Sequence, residues 1–225
     1  MIIGINDPKY IEKRDKLGKG RFNGAYYYAK EIENNMLPLI KPNKMNWVLV
    51  NNGDIPDNSI VFIHTNFKEG FESISKRLKG KKNLVLVCSI PETEKYCREN
   101  GLGETILLPM SVDVDYVKKF RTEKSRETAL CGNLWAFRHK DILGNVEAGT
   151  HILADMPRDE LLAEMAKYKR VYATDRVAME ATILGCEVLY YDTRYPKGLV
   201  WPTLDNKDAA KMLDAELDKI SSILR

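Results

Sequence analysis

Thr174-Asp175-Arg176, followed one turn later by Glu180, is the stretch of this sequence best equipped for chemistry. Thr174 or Asp175 is placed to cap a helix whose first N–H groups and dipole attract an anion, and Arg176 adds a full positive charge beside them. That combination describes a phosphate site. Glu180 can accept hydrogen bonds from the hydroxyls of a ligand whose phosphates sit at the helix start, although an ordinary Glu on an exposed helix has the same sequence. Upstream, Gly132-Asn133-Leu134-Trp135-Ala136-Phe137-Arg138-His139-Lys140 brings a planar fork at Arg138 and a point charge at Lys140. Both suit phosphate oxygens, and both also suit the charged first turn of a helix. For proton transfer the candidates are His64, which ends the apolar run from Ser59, and Asp7, just after the first apolar run. His titrates near neutral pH, so His64 comes first, against the structural role that a lone strand-end His more often has.

Metal chemistry has no comparable support. Asp113-Val114-Asp115 reads as a helix N-cap, and neither a ligand-spaced His/Cys/carboxylate cluster nor a Gly-x-Ser-x-Gly or P-loop pattern occurs.

These residues must be held by something, and the hydrophobic pattern says what. Short apolar runs alternate with helical periodicity along the chain, the signature of βαβ units and parallel sheets. Strands are expected at Ile2–Asn6, Trp47–Val50, Ile60–His64, Leu84–Cys88 and Thr105–Leu108. A second series is expected at Thr128–Cys131, Thr150–Leu153, Arg170–Ala173 and Glu187–Tyr191. Helices are expected from Phe22 to Leu37, around Phe71–Leu78, over 91–100 between Pro91 and Gly101, and near 138–144, 158–167 and 176–184. The last, about 207–224, puts Met212, Leu213, Leu217, Ile220 and Leu224 on one stripe. The rhythm pauses through the polar stretch Met110–Ser125, which divides a first half over 1–120 from a second over 126–225. In open parallel sheets ligands bind beyond the carboxyl ends of strands, and Asp7, His64, Gly132–Lys140 and Thr174–Glu180 all lie there.

A chain of 225 residues, 44% apolar and 30% charged, has material for one large or two small cores. No apolar run approaches the roughly 18 residues of a membrane span, and Met1-Ile2-Ile3-Gly4 lacks the charged-then-apolar order of a signal peptide, so a cytoplasmic protein is expected. Cys88, Cys97, Cys131 and Cys186 have no CxxC spacing and sit mostly in apolar runs, which points to free buried thiols. The net charge of +3 is uneven: residues 1–120 carry 19 Lys/Arg against 15 Asp/Glu, and residues 121–225 carry 16 against 17. The excess comes from Lys9, Lys13, Arg14, Lys16, Lys19 and Arg21, and from Lys76, Arg77, Lys79, Lys81 and Lys82. Such clusters track a phosphate backbone or are simply solvated surface.

Met179-Glu180-Ala181-Thr182-Ile183-Leu184-Gly185-Cys186-Glu187-Val188 resembles the segment of GT-B glycosyltransferases in which a Glu before a small-residue helix and a Gly-x-x-Val turn binds the donor ribose. Ile106-Leu107-Leu108-Pro109-Met110-Ser111-Val112-Asp113 is similar to the strand, Pro and Val-Asp segment that closes their N-terminal domain. Phe22-Asn23-Gly24-Ala25 is similar to their first Gly loop, and Gly132–Lys140 stands where their loop after the first strand of the second domain supplies cations to the donor diphosphate.

The resemblance spans nearly the whole chain in order. It implies two Rossmann-like domains of GT-B architecture with parallel sheets and a metal-independent glycosyltransferase. The donor is a nucleotide-diphosphate sugar, UDP favoured, with no other cofactor. The implied donor-binding residues are Gly132, Asn133, Arg138, Lys140, Thr174, Asp175, Arg176 and Glu180. Asn23 and Gly24 line the acceptor side, and His64 or Asp7 is the base. Many retaining members carry a second acidic residue eight positions before the Glu; Tyr172 stands there, beside Ala173. The pairing of Arg176 with Glu180 looks nearer to phage DNA glucosyltransferases. The acceptor stays open among modified DNA, a glycan and a small metabolite. A non-catalytic nucleotide-binding protein and a nucleic-acid-binding module on the same fold are the alternatives.

Overall fold

A computed structural model describes residues 2–3, 30–41, 44–50, 55–63, 68–131, 145–154, 156–192 and 201–221. They fall into two compact units.

The first unit holds the described residues up to Met110 together with the helix that begins at Asn206. Its sheet has five parallel strands in the order β1 (Ile2–Ile3), β2 (Asn46–Val50), β3 (Ser59–Ile63), β4 (Leu84–Cys88) and β5 (Glu104–Leu107). Every residue of β3 and β4 is buried, because helices cover both faces of a parallel sheet, and that is why these runs read as continuous rather than alternating apolar sequence. Helix α1 (Lys68–Leu78) joins β3 to β4, and α2 (Pro91–Glu99) joins β4 to β5. One core gathers Val48, Val61, Ile63, Leu84 and Leu86 from the sheet with Ile74, Leu78 and Cys97 from these helices. The expected boundaries of α2 hold: Pro91 stands in its first turn, and Gly101 closes it, with Leu102 N–H donating to the Cys97 carbonyl at 3.1 Å.

Gly103 is fixed by a different constraint. Its φ is +153°, and a Cβ there would lie 2.8 Å from the Leu84 carbonyl oxygen, beside the point where β5 begins to pair with β4. Gly103→Ala is therefore expected to destabilise the protein by about 1–3 kcal/mol, read as a lower urea midpoint at unchanged slope.

Of the helix expected from Phe22 to Leu37, the described part is α-helical at 30–31, continues as a π-helical stretch, Ile32–Met36, and tightens to a 3₁₀ turn at Leu37–Leu39 that contains Pro38. Ile32 and Met36 are buried, as their spacing required.

The second unit runs from Ser111 to Asp205. Its main sheet is also parallel, in the order β10 (Glu187–Leu189), β9 (Tyr168–Tyr172), β7 (Arg126–Cys131) and β8 (His151–Leu153). Helix α4 (Arg158–Met165) joins β8 to β9, and α5 (Asp175–Ile183) joins β9 to β10. A short helix α3 (Val114–Lys118) packs on α5 and is capped by Asp113, which accepts from the Tyr116 N–H at 2.8 Å. Two-residue strands β6 (Ser111–Val112) and β11 (Leu204–Asp205) pair in parallel beside them, and neither was legible as a strand.

The strand orders differ in a way that matters for ligands. In the first sheet spatial order matches chain order, so the described strands contain no reversal. In the second the chain goes from β7 out to β8 and returns across β7 to β9, so the winding reverses between β7 and β9. A crevice opens at such a reversal, outside the carboxyl ends of the two strands.

The final helix, α6 (Asn206–Ser221), corrects the sequence reading twice. It belongs to the first unit rather than to a second half over 126–225, and the chain changes unit between Met110 and Ser111, at the start of the polar stretch instead of beyond residue 120. Its buried stripe is Ala209, Ala210, Leu213, Leu217 and Ile220; Met212, one residue off that stripe, is 45% exposed. Lys41 fastens it: its backbone N–H donates to Asp214 Oδ1 at 3.0 Å and its ammonium to Asp218 Oδ2 at 2.5 Å. Leu224 lies outside the described residues. No helix among the described residues is long and apolar enough to cross a membrane.

Candidate functional site

The segment leaving β9 begins at the reversal point of the second sheet. After β9 the chain passes through Ala173 and Thr174 in extended conformation and turns at Asp175, whose φ is +61°. The left-handed backbone makes this strand-to-helix turn sharp. Thr174 is the residue preceding α5, and of the two capping candidates its side chain makes no capping hydrogen bond.

Arg176 and Glu180 then project from the same face of α5, four residues apart. Both are buried, at 3% and 2% exposed. The Arg176 Nε donates to Glu180 Oε1 at 2.9 Å. A second guanidinium, which sequence reasoning missed, meets the same oxygen: Arg158 donates from Nε at 3.2 Å and from Nη2 at 2.9 Å. Glu180 is therefore not an exposed helix Glu. Oε1 receives three N–H donors, whereas no hydrogen bond from the described residues reaches Oε2.

Strand order explains why Arg158 is there. It opens α4, a few residues past the end of β8, whereas Glu180 comes after β9, and β8 and β9 flank β7 on its two sides. The Arg158–Glu180 pair thus bridges over the carboxyl end of β7, where burial of Cys131, with smaller contributions from Cys186 and then Glu180, pushes the thiol pKa up. Tyr116 covers the outer side of Arg158, its ring centroid 5.4 Å from the guanidinium carbon, and its hydroxyl donates to Asp159 Oδ1 at 2.6 Å. Arg158 retains 13% of its side-chain exposure, the highest of the three charged partners.

Tyr172, eight positions before Glu180, is buried at the end of β9 in edge-to-face contact with Tyr191, with a centroid separation of 6.4 Å. It supplies no carboxylate. Of the other residues singled out from sequence, Gly132, Asn133, Arg138 and Lys140 come after β7 and lie outside the described residues, as do His64, Asp7, Asn23 and Gly24. The structure therefore assembles Arg176 and Glu180 with Arg158, and places the end of β7 beside them. All four cysteines are free and buried, as expected.

The chain matches no protein-family model and no curated protein sequence.

Proposed function

We propose that this chain is a glycosyltransferase of GT-B type that takes a nucleotide-diphosphate sugar, a UDP-sugar first among them, into the crevice between β7 and β9. One observation carries the reading. Glu180 is a buried carboxylate at a sheet reversal with one oxygen held by two guanidiniums and the other receiving no hydrogen bond from the described residues. A ribose hydroxyl donating to Oε2 would add a charge-assisted hydrogen bond to a carboxylate whose other oxygen is already fixed. Arg158 and Arg176 then act as positioning residues that fix the carboxylate plane.

In this reading the diphosphate lies toward the start of α5, and Arg138 and Lys140 neutralise charge that develops as the sugar leaves. His64, or failing it Asp7, takes the proton from the acceptor hydroxyl. The acceptor is a modified DNA base, a glycan or a small metabolite.

The test is a thermal-shift screen against nucleotide-diphosphate sugars, and then a transfer assay with the donor that binds. A ligand present at about 100 times its Kd stabilises the fold by roughly 2.7 kcal/mol, a readily measured rise in melting temperature. No rise with any nucleotide sugar would overturn the proposal, and a donor that binds but is never consumed would leave a nucleotide-binding protein without transferase activity. Arg138→Ala and Lys140→Ala are each expected to weaken UDP more than uridine in calorimetry, because only UDP carries the diphosphate. Equal losses would remove both residues from the phosphate role.

A further inference from the structure

At the other end of α5, a lysine and a cysteine meet. Lys124, in the segment leading into β7, directs its ammonium at three acceptors: the Ala166 carbonyl at 2.8 Å, the Leu184 carbonyl at 2.9 Å and Cys186 Sγ at 3.2 Å. Ala166 and Leu184 cap the C-terminal ends of α4 and α5, where the helix dipoles are negative. Two helix ends hold this cation, and no carboxylate among the described residues pairs with it.

Cys186 is fixed as firmly. Gly185, at φ +80°, closes α5 in a Schellman motif in which Gly185 N–H donates to the Thr182 carbonyl and Cys186 N–H to the Ala181 carbonyl, both at 2.9 Å. The thiol donates toward the Met165 carbonyl at 3.6 Å, which leaves a sulfur lone pair to face Lys124. Neither partner has to move far for the nitrogen and the sulfur to bond.

We propose that Lys124 and Cys186 form a site of oxidative cross-linking, a lysine–cysteine sulfenamide made when a peroxide oxidises the thiol. In the first step the sulfur is oxidised by two electrons: it gains one peroxide oxygen as a sulfenic acid, and the other oxygen leaves as water with the displaced thiol proton. The Lys124 ammonium gives one proton to solvent, and the free amine attacks sulfur. The N–S bond forms as the S–O bond breaks, and the oxygen departs with its own hydrogen and one amine hydrogen as a second water. One peroxide is consumed and Nζ keeps a single hydrogen. Burial holds the thiol pKa up and the nearby ammonium opposes this. The bridge would tie the segment after α5 to the strand entry at β7, and α5 carries Arg176 in its first turn and Glu180 one turn on.

The experiment uses the full chain treated with hydrogen peroxide, digested without reductant and examined by peptide mass spectrometry. The expected product is one peptide pair joining Lys124 to Cys186, lighter than the two free peptides by two hydrogens and split by dithiothreitol. It should be absent from Lys124→Arg, which keeps the donors but lacks a nucleophilic amine at neutral pH, and from Cys186→Ser. The wild-type peptide map decides the matter even where a variant folds poorly. Cys186 recovered unmodified, as a sulfinic acid, or in a disulfide with Cys131, with Lys124 unlinked, overturns the proposal.

Discussion

Glu180→Ala is expected to cost about 3–5 kcal/mol of folding stability, the scale of breaking a buried ion pair by removing one partner. The substitution leaves Arg176, 3% exposed, and Arg158, 13% exposed in its side chain, facing one another with the carboxylate gone. Urea denaturation should show the loss as a lower midpoint. This penalty is larger than the roughly 1–3 kcal/mol that one charged hydrogen bond to a ribose would contribute to donor binding, so the alanine variant alone confuses folding with function. Glu180→Met combined with Arg158→Met and Arg176→Met separates them, because a buried ionic triad replaced by apolar residues of similar volume is often neutral for stability. A well-folded triple variant with no affinity for nucleotide sugars supports a donor-binding role for the cluster. Undiminished affinity in that variant would make the ion pair purely structural.

Much of the fold was legible because parallel sheets write themselves plainly. β3 and β4 are buried on both faces, so Ile60–Ile63 and Leu84–Cys88 are unbroken apolar runs, and Pro91 and Gly101 mark where α2 starts and stops. What escaped was set by partners rather than by pattern. Two-residue strands such as Ser111–Val112 and Leu204–Asp205 have no period to detect; they exist because each completes the other's hydrogen bonds. The amphipathic stripe of α6 said that the helix must be buried on something, but not that Lys41 and the Ile32–Met36 stretch would be its neighbours.

At the site the same division holds. Arg176 and Glu180 were readable as a pair because four residues on a helix place them on one face. Arg158 was not, because its contact with Glu180 arises from the order β8-β7-β9, which brings together residues 22 apart in sequence. Arg158 lies past Pro157 in the first turn of α4, further beyond a strand end than the residues that the rule of looking just after strands picks out. Thr174 has a capping residue's type and position, and it fails because the chain turns at Asp175 with positive φ instead of entering the helix directly.

The basic cluster of the first unit offers the other large effect. Lys76 and Lys79 lie one turn apart at the end of α1, Lys82 precedes β4, and no carboxylate among the described residues pairs with these three ammonium groups. Arg77 and Lys81 are partly buried beside them. A DNA backbone held at this cluster should release about 0.9 counterion per phosphate contact, so three contacts predict a roughly forty-fold loss of affinity between about 50 and 200 mM salt. Lys79→Glu with Lys82→Glu should lower affinity at the lower salt and flatten the dependence by about two contacts, while the nucleotide-sugar binding proposed for the second unit stays the same. The cluster stands at the amino end of β4, whereas ligands of an open sheet gather at carboxyl ends. DNA bound there is therefore docked rather than presented at the carboxyl ends of that sheet. Absence of DNA binding at low salt would sink the DNA acceptor and leave a glycan or small metabolite, and it would leave untouched the argument built on Arg158, Arg176 and Glu180.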